Sequence, residues 1–252
     1  MIRIQLKGVS RHFGGLKAVS DVSFATVSGE VFGVIGPNGA GKTTLFNVIA
    51  GVYRPSLGQV LLDGVDISGR PPHEIVSRGL ARSFQMPRLF KGETVAENLM
   101  RAERFAMVPN PVALFAPHGA QGNLGRYKEV AAILGLSGLL EAEAGSLAYG
   151  QQKILGIGLA VATGPRLLLM DEPAAGLNPT EKRGMAELIL KLRSEFGIDI
   201  IVIEHDMRLM MDVCDRLAVL NHGKLIALGS PAEIQSNPDV VEAYLGQSHE
   251  TA

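Results

Sequence analysis

Two short stretches of this chain carry residue types at spacings that could act on a polyphosphate. The first is Gly36-Pro37-Asn38-Gly39-Ala40-Gly41-Lys42-Thr43-Thr44, in which glycines separated by four residues precede a lysine and a hydroxyl residue. Glycines let a backbone curl until successive N–H groups point inward at phosphate oxygens, and a following helix N-terminus adds positive potential. In that arrangement Lys42 can hold β and γ phosphates, Thr43 can place its hydroxyl on Mg²⁺, and Thr44 can bond a neighbouring phosphate. The second stretch is RLLLMDE at 166–172, an apolar run ending in Asp171 and Glu172. Ligands of open α/β sheets bind at the carboxyl ends of strands, which is where these acids would fall. Asp171 suits Mg²⁺, directly or through water, and Glu172 can orient or deprotonate a water that attacks the γ phosphate. Taken singly, a glycine-rich turn and a solvated acidic loop are bland alternatives; together in one chain they point to binding and hydrolysis of ATP.

The elements that must position these groups can be read from apolar periodicity. EVFGVIG at 30–36 is a nearly continuous apolar run, and the stretch from Gly41 onward reads as a helix, so a buried strand, a loop and a helix are expected. Ile2, Ile4 and Leu6, and then Val22 and Phe24 beyond the break at Gly14-Gly15, alternate with polar residues as half-buried strands of an antiparallel sheet do. Further runs at 59–62, 166–170, 199–203 and 216–220 alternate with helical stretches, which predicts a mainly parallel sheet flanked by helices. Between Gln85 and Gly150 the pattern turns helical, around 95–105 and 126–136, with a Pro/Gly/Ala-rich stretch at 109–122 between them. Two short helices, each opened by a Ser-Pro or Asn-Pro start, are expected near the end.

Composition narrows the classes further. At 252 residues, 46% hydrophobic and 19% charged, the chain is of globular type and long enough for one sizeable core. A net charge of −1 gives no cationic excess to hold nucleic acid. The single cysteine, Cys214, cannot close an internal disulfide or build a cysteine-rich metal site. His12, His118, His222 and His249 form no metal-binding spacing, while Met207, Met210 and Met211 recur at helical spacing and suit a core. The N-terminus alternates where a secretory signal would be continuously apolar, and no run approaches a membrane span, so a cytoplasmic location is expected.

At this point the chain resembles the ATP-binding subunits of ABC transporters over nearly its whole length, to about residue 246. Beyond the two stretches above, the resemblance rests on Gln85 in ARSFQ, LAYGQQ at 147–152, AAGLNP at 174–179 and His205 in VIEHD, all in the family's order. It implies one α/β P-loop NTPase domain with an antiparallel sheet at the N-terminal end. Residues 1–85 and 161–252 would form the catalytic core, and about 86–160 a helical signature subdomain. It implies that Gln85 senses Mg²⁺ and the attacking water, that His205 contacts the γ phosphate, and that Phe13 stacks on adenine. Ala148, Tyr149, Gly150 and Gln151 would complete the partner subunit's nucleotide site across a dimer. AAGLN would carry signals between the two sites.

Three departures stand out. Ala148 and Tyr149 replace the commonest serine and glycine of the signature, removing one donor to the partner's γ phosphate. Asn178 stands where aspartate is usual, and KILGIGLAVAT lacks the usual charges. The YGQQ signature, AAGLNP, FGGLKAV and NPDVVEAYLG together are similar to one of the two ATPases of bacterial branched-chain amino acid importers; related urea importers and a lipopolysaccharide exporter share much of the pattern. The resemblance implies a second ATPase subunit, two membrane permeases contacted by residues 86–101, an indirect periplasmic binding protein, and a peripheral place on the inner membrane face. A non-transport ABC ATPase would bring coiled-coil insertions, zinc modules or a second cassette, none of which the sequence contains. A regulatory module that binds ATP without turnover is opposed by Glu172, and a GTPase by the lack of an Asn-Lys-x-Asp motif.

Overall fold

A computed structural model describes residues 1–107 and 125–245 of the chain; the stretch 109–122 lies outside them. The chain opens with β1 (Ile2–Phe13), β2 (Leu16–Val27) and β3 (Val31–Ile35), followed by α1 (Lys42–Ile49), β4 (Leu57–Leu62), β5 (Val65–Asp66), α2 (Pro72–Ser77) and β6 (Leu80–Ser83). Next come α3 (Val95–Met107), α4 (Arg126–Ile133), α5 (Tyr149–Ala162), β7 (Leu167–Asp171) and α6 (Pro179–Phe196). The last elements are β8 (Asp199–Ile203), α7 (Met207–Val213), β9 (Arg216–Asn221), β10 (Lys224–Gly229), α8 (Pro231–Gln235) and α9 (Pro238–Leu245). Two compact units divide the chain, one of Met1–Ile75 with Asp199–Ala252, the other of Val76–Ile198.

In the first unit, β1 lies between β2 and β4 in an antiparallel sheet that ends at β5. The run at 59–62 therefore belongs to this sheet and not to the parallel set: Val60 pairs with Leu6 and Leu62 with Ile4. Val60 and Leu62 are buried while Leu61 is only half-buried, which is the period of a strand with one wet face. A run of four residues, three of them apolar, is too short to separate that pattern from a strand buried on both faces. β3, β8 and β9 form the parallel set, with Val31 opposite Ile200 and Ile35 opposite Val219. Every residue of β3 and β8 is buried, as both-face burial of parallel strands requires. Phe24 of β2 stacks on Phe32 of β3 with ring centroids 4.9 Å apart, packing the two sheets together.

In the second unit, β6 and β7 pair in parallel, Leu80 with Leu167 through Ser83 with Met170. Beside them α3, α4 and α5 pack around Leu99, Val130, Leu155 and Val161, all fully buried. The helix expected at 126–136 stops at Ile133, because Gly135 takes a left-handed backbone (φ 69°) that closes the helix end. Glu103 of α3 is buried and accepts hydrogen bonds from the backbone N–H groups of Gly125, Arg126 and Tyr127 at 3.3, 3.1 and 3.1 Å. A carboxylate thus answers the open donors at the start of α4. Met210 is fully buried, as its spacing predicts, whereas Met207 and Met211 are only half-buried.

Candidate nucleotide site

The phosphate loop follows β3 and opens α1, as its sequence requires. Gly36 and Gly41 have φ of 148° and 98°, and a Cβ at either would overlap backbone oxygen, that of Leu220 at position 36 and that of Ala18 at position 41. Neither position admits a side chain. Gly39 also has positive φ (77°), yet open space surrounds it. The loop is tied from behind, since Gly223 N–H donates to the Ala40 carbonyl at 3.0 Å and Ser20 N–H to the Gly223 carbonyl at 2.8 Å. Burial pushes the pKa of the Tyr244 phenol on α9 up, and the nearby Gly36 backbone opposes that shift.

Lys42 is buried, and its ammonium donates to the carbonyls of Gly36 at 2.6 Å and Pro37 at 2.9 Å, inside the curve of the loop. Asn38, Gly39 and Thr43 are exposed along that curve, Thr44 is half-buried, and Pro37 and Ala40 are buried behind it. The N-terminus of α1 has no side-chain cap and no acidic residue in its first turn. A helix N-terminus with its dipole and a buried ammonium therefore meet at one loop, and the chemistry they fit is a phosphate chain.

Phe13, the last residue of β1, is 39% exposed. Its ring meets Tyr53 edge-on at 5.2 Å, and the Arg11 guanidinium lies over it at 4.5 Å, so the ring is held by neighbours yet reachable. His205 follows β8 and is exposed; its backbone N–H donates to the buried Glu204 carboxylate at 3.0 Å.

In the other unit, Asp171 ends β7 with 7% exposure and Glu172 follows half-buried. Glu172 has φ 48°, a left-handed backbone that non-glycine residues seldom adopt and that concentrates at functional sites. The Nε2 amide of Gln85 donates to Glu172 Oε2 at 2.6 Å, so the structure joins these two predicted residues. Arg82, not expected from the sequence, pairs with Asp171 at 2.5 Å. The register explains it: Arg82 lies opposite Leu169, and Leu169 and Asp171 share a face of β7. Thr43, Asp171 and Gln85 each offer oxygen, the donor type that Mg²⁺ requires.

In the signature segment Ala148 is the N-cap of α5. Gln151 supplies half of a capping box, its Oε1 accepting from Ala148 N–H at 3.1 Å; the alanine has no oxygen to supply the other half. Ala148 and Tyr149 are exposed, Gly150 is buried, and a Cβ there would come within 2.8 Å of Glu181. Asn178 caps α6, accepting from Thr180 N–H at 2.9 Å and Glu181 N–H at 3.0 Å, while Glu181 accepts from Asn178 N–H at 2.8 Å. An asparagine oxygen performs this capping as an aspartate would. Lys153 is the second residue that sequence reasoning passed over: it opens the stretch after the signature, which lacks the usual charges, and it is buried. Neither Arg82 nor Lys153 has a local motif; their partners lie 89 and about 20 residues away along the chain.

Known proteins resemble the chain in both sequence and fold. The sequence model of the family described as "ABC transporter" matches residues 19–175, and that described as "Branched-chain amino acid ATP-binding cassette transporter" matches residues 224–250. The chain is 43% identical to the high-affinity branched-chain amino acid transport ATP-binding protein BraF of Pseudomonas aeruginosa, covering 97% of this chain and 98% of that one. It is 41% identical, with the same coverage, to the LivG protein of the same description from Escherichia coli. Among solved structures, the ADP conformation of an ATP-binding cassette of an ABC transporter superposes with a TM-score of 0.87 at 33% identity, covering 98% of this chain and 99% of that one.

Proposed function

The chain belongs to the ABC transporter family, as one of its ATP-binding and ATP-hydrolysing subunits, and from that premise we propose that it is a motor for import of branched-chain amino acids. The observation that carries the reading is the loop at 36–44, whose end glycines admit no side chain and whose lysine is drawn inside the curve. The substrate rests on the branched-chain amino acid transport that BraF and LivG are named for and on the match at 224–250.

In this reading the N–H groups of 38–41, with Lys42 and Thr44, bind the phosphates of ATP, and Phe13 stacks on the base. Thr43, Asp171 and Gln85 would hold Mg²⁺, which when bound would neutralise charge developing on the phosphate oxygens. Glu172 orients the attacking water and takes its proton, and His205 contacts the γ phosphate. Gln85, released from Glu172, reports the state of that carboxylate to the segment 86–101, the proposed contact with a membrane permease. Ala148 to Gln151 offer backbone N–H groups to the nucleotide of a second ATPase subunit, without the serine hydroxyl. Among the described residues no helix is long and apolar enough to cross a membrane. Attachment to the inner face through two permease subunits, served by a periplasmic binding protein, completes the proposal, with residues 1–85 and 161–252 as catalytic core and about 86–160 as signature subdomain.

The test is Mg²⁺-dependent ATP hydrolysis by the purified chain beside Lys42→Ala and Glu172→Gln, then leucine uptake by vesicles holding the whole transporter. Loss of turnover of about 100-fold or more in both variants, with ATP still bound by the glutamine variant, is the expected result. Binding without turnover in the assembled transporter would overturn the catalytic assignment, and turnover without uptake of any branched-chain amino acid would overturn the substrate.

A further inference from the structure

Lys153 stands one turn into α5 with 5% exposure. Its ammonium donates to three backbone carbonyls of a single turn, those of Glu172 at 3.0 Å, Pro173 at 3.2 Å and Ala175 at 2.6 Å. A buried ammonium is tolerated only where its donors are answered, and here backbone oxygens from the segment after β7 answer them. Within the same turn Ala175 N–H donates to the Glu172 carbonyl and Leu177 N–H to the Ala174 carbonyl, each at 3.2 Å, and Gln85 holds the Glu172 carboxylate. It contains Glu172 in its left-handed conformation, directly before Pro173. Such a backbone persists only where its surroundings over-determine it. The Tyr149 ring of the signature lies 5.8 Å from the ammonium and against Gly176, where an added Cβ would come within 3.3 Å of the ring.

We infer that Lys153 is a positioning residue for hydrolysis: by gathering the carbonyls of 172, 173 and 175 it fixes the Glu172 backbone, and so the aim of its carboxylate. Because Lys153 belongs to the first turns of the signature helix, any displacement of α5 is transmitted to that carboxylate through three hydrogen bonds. The residue acts through Glu172, whose turn its ammonium holds, and the inference rests on the catalytic role proposed above for that glutamate. A misplacement of about 1 Å in a reacting group costs roughly 100-fold in rate, so a loosened turn is expected to appear in turnover and not in affinity.

The experiment uses the full chain as wild type, Lys153→Met, Lys153→Arg and each in the Glu172→Gln background. For Lys153→Met, ATP affinity is expected within about twofold of wild type and kcat lower by about 10- to 100-fold. The arginine, which keeps charge and donors, is expected to restore most of the rate. In the Glu172→Gln background the residual rate should not respond to Lys153→Met, since the effect has no carboxylate to act through. Hydrogen exchange of peptides covering 171–178 should quicken by roughly tenfold in the methionine variant while the remaining peptides keep their protection. Unchanged kcat and exchange, or protection lost throughout the chain, would overturn the assignment, the latter by making Lys153 a residue of general stability. A wild-type chain without turnover would overturn the motor reading instead, and exchange at 171–178 would still decide the role of Lys153.

Discussion

The phosphate loop at 36–44 and the acid turn at 171–178 both hold a backbone in unusual conformations, and they do so by opposite means. In the loop the shape follows from side chains that are missing: at Gly36 and Gly41 a single Cβ would collide with the oxygen of Leu220 or Ala18. In the acid turn the shape follows from side chains that are present. Lys153 gathers its carbonyls, Arg82 and Gln85 hold its two carboxylates, and Asn178 with Glu181 closes its far end. Sterics tolerate no substitution, whereas polar tethers can be weakened by degrees. The first region should therefore fail abruptly and the second gradually.

Gly41→Ala should have the largest effect, combining positive φ with backbone overlap at a cost of about 3 kcal/mol. Nucleotide binding measured by calorimetry should be lost in it, while Gly39→Ala, which meets only the backbone penalty of about 1 kcal/mol, should retain a measurable affinity. Equal losses in the two would mean that close approach does not distinguish them. Glu103→Ala comes next, because it strands three N–H groups at the start of α4 and removes a charged acceptor. Urea unfolding should register about 2 kcal/mol, and Glu103→Gln, which keeps one acceptor oxygen, about half of that.

Asn178→Ala should cost about 1 kcal/mol by uncapping α6, and Asn178→Asp should cost nothing, since both N–H acceptances survive and a negative charge suits a helix N-terminus. A large loss in the aspartate variant would show that the amide itself matters. The smallest change is a gain. Ala148 already has cap geometry (φ −58°, ψ 152°) without an oxygen, so Ala148→Ser should add about 0.5 to 1 kcal/mol, read as a rise in thermal midpoint. Faster ATP turnover should accompany it if the hydroxyl also reaches a partner's nucleotide.

Much of this was legible in residue order because the relevant physics is local. Gly36 to Thr44 encode their own curve, the apolar run into Asp171 announces a buried strand ending in acids, and Ser230-Pro231 with Glu233 spells a capped helix start that α8 adopts. The run at 59–62 misled because its face pattern was too short to read. β10, mostly half-buried, carries a short apolar run at 225–228 that shows neither strand alternation nor the continuous burial of a parallel strand.

What the sequence by itself determined is the set of chemical groups and the backbone freedom around them: the glycines, the lysine, the hydroxyls and the paired acids at their fixed spacings. Only the tertiary structure decided which distant groups hold these in place. Arg82 reaches Asp171 because two strands pair in one register, and Lys153 reaches the turn after β7 because α5 packs there. The physical reason is that a short motif specifies dihedral angles and donors along the chain, whereas burial, which gives an ammonium or a carboxylate its partners, depends on which segments fold against one another.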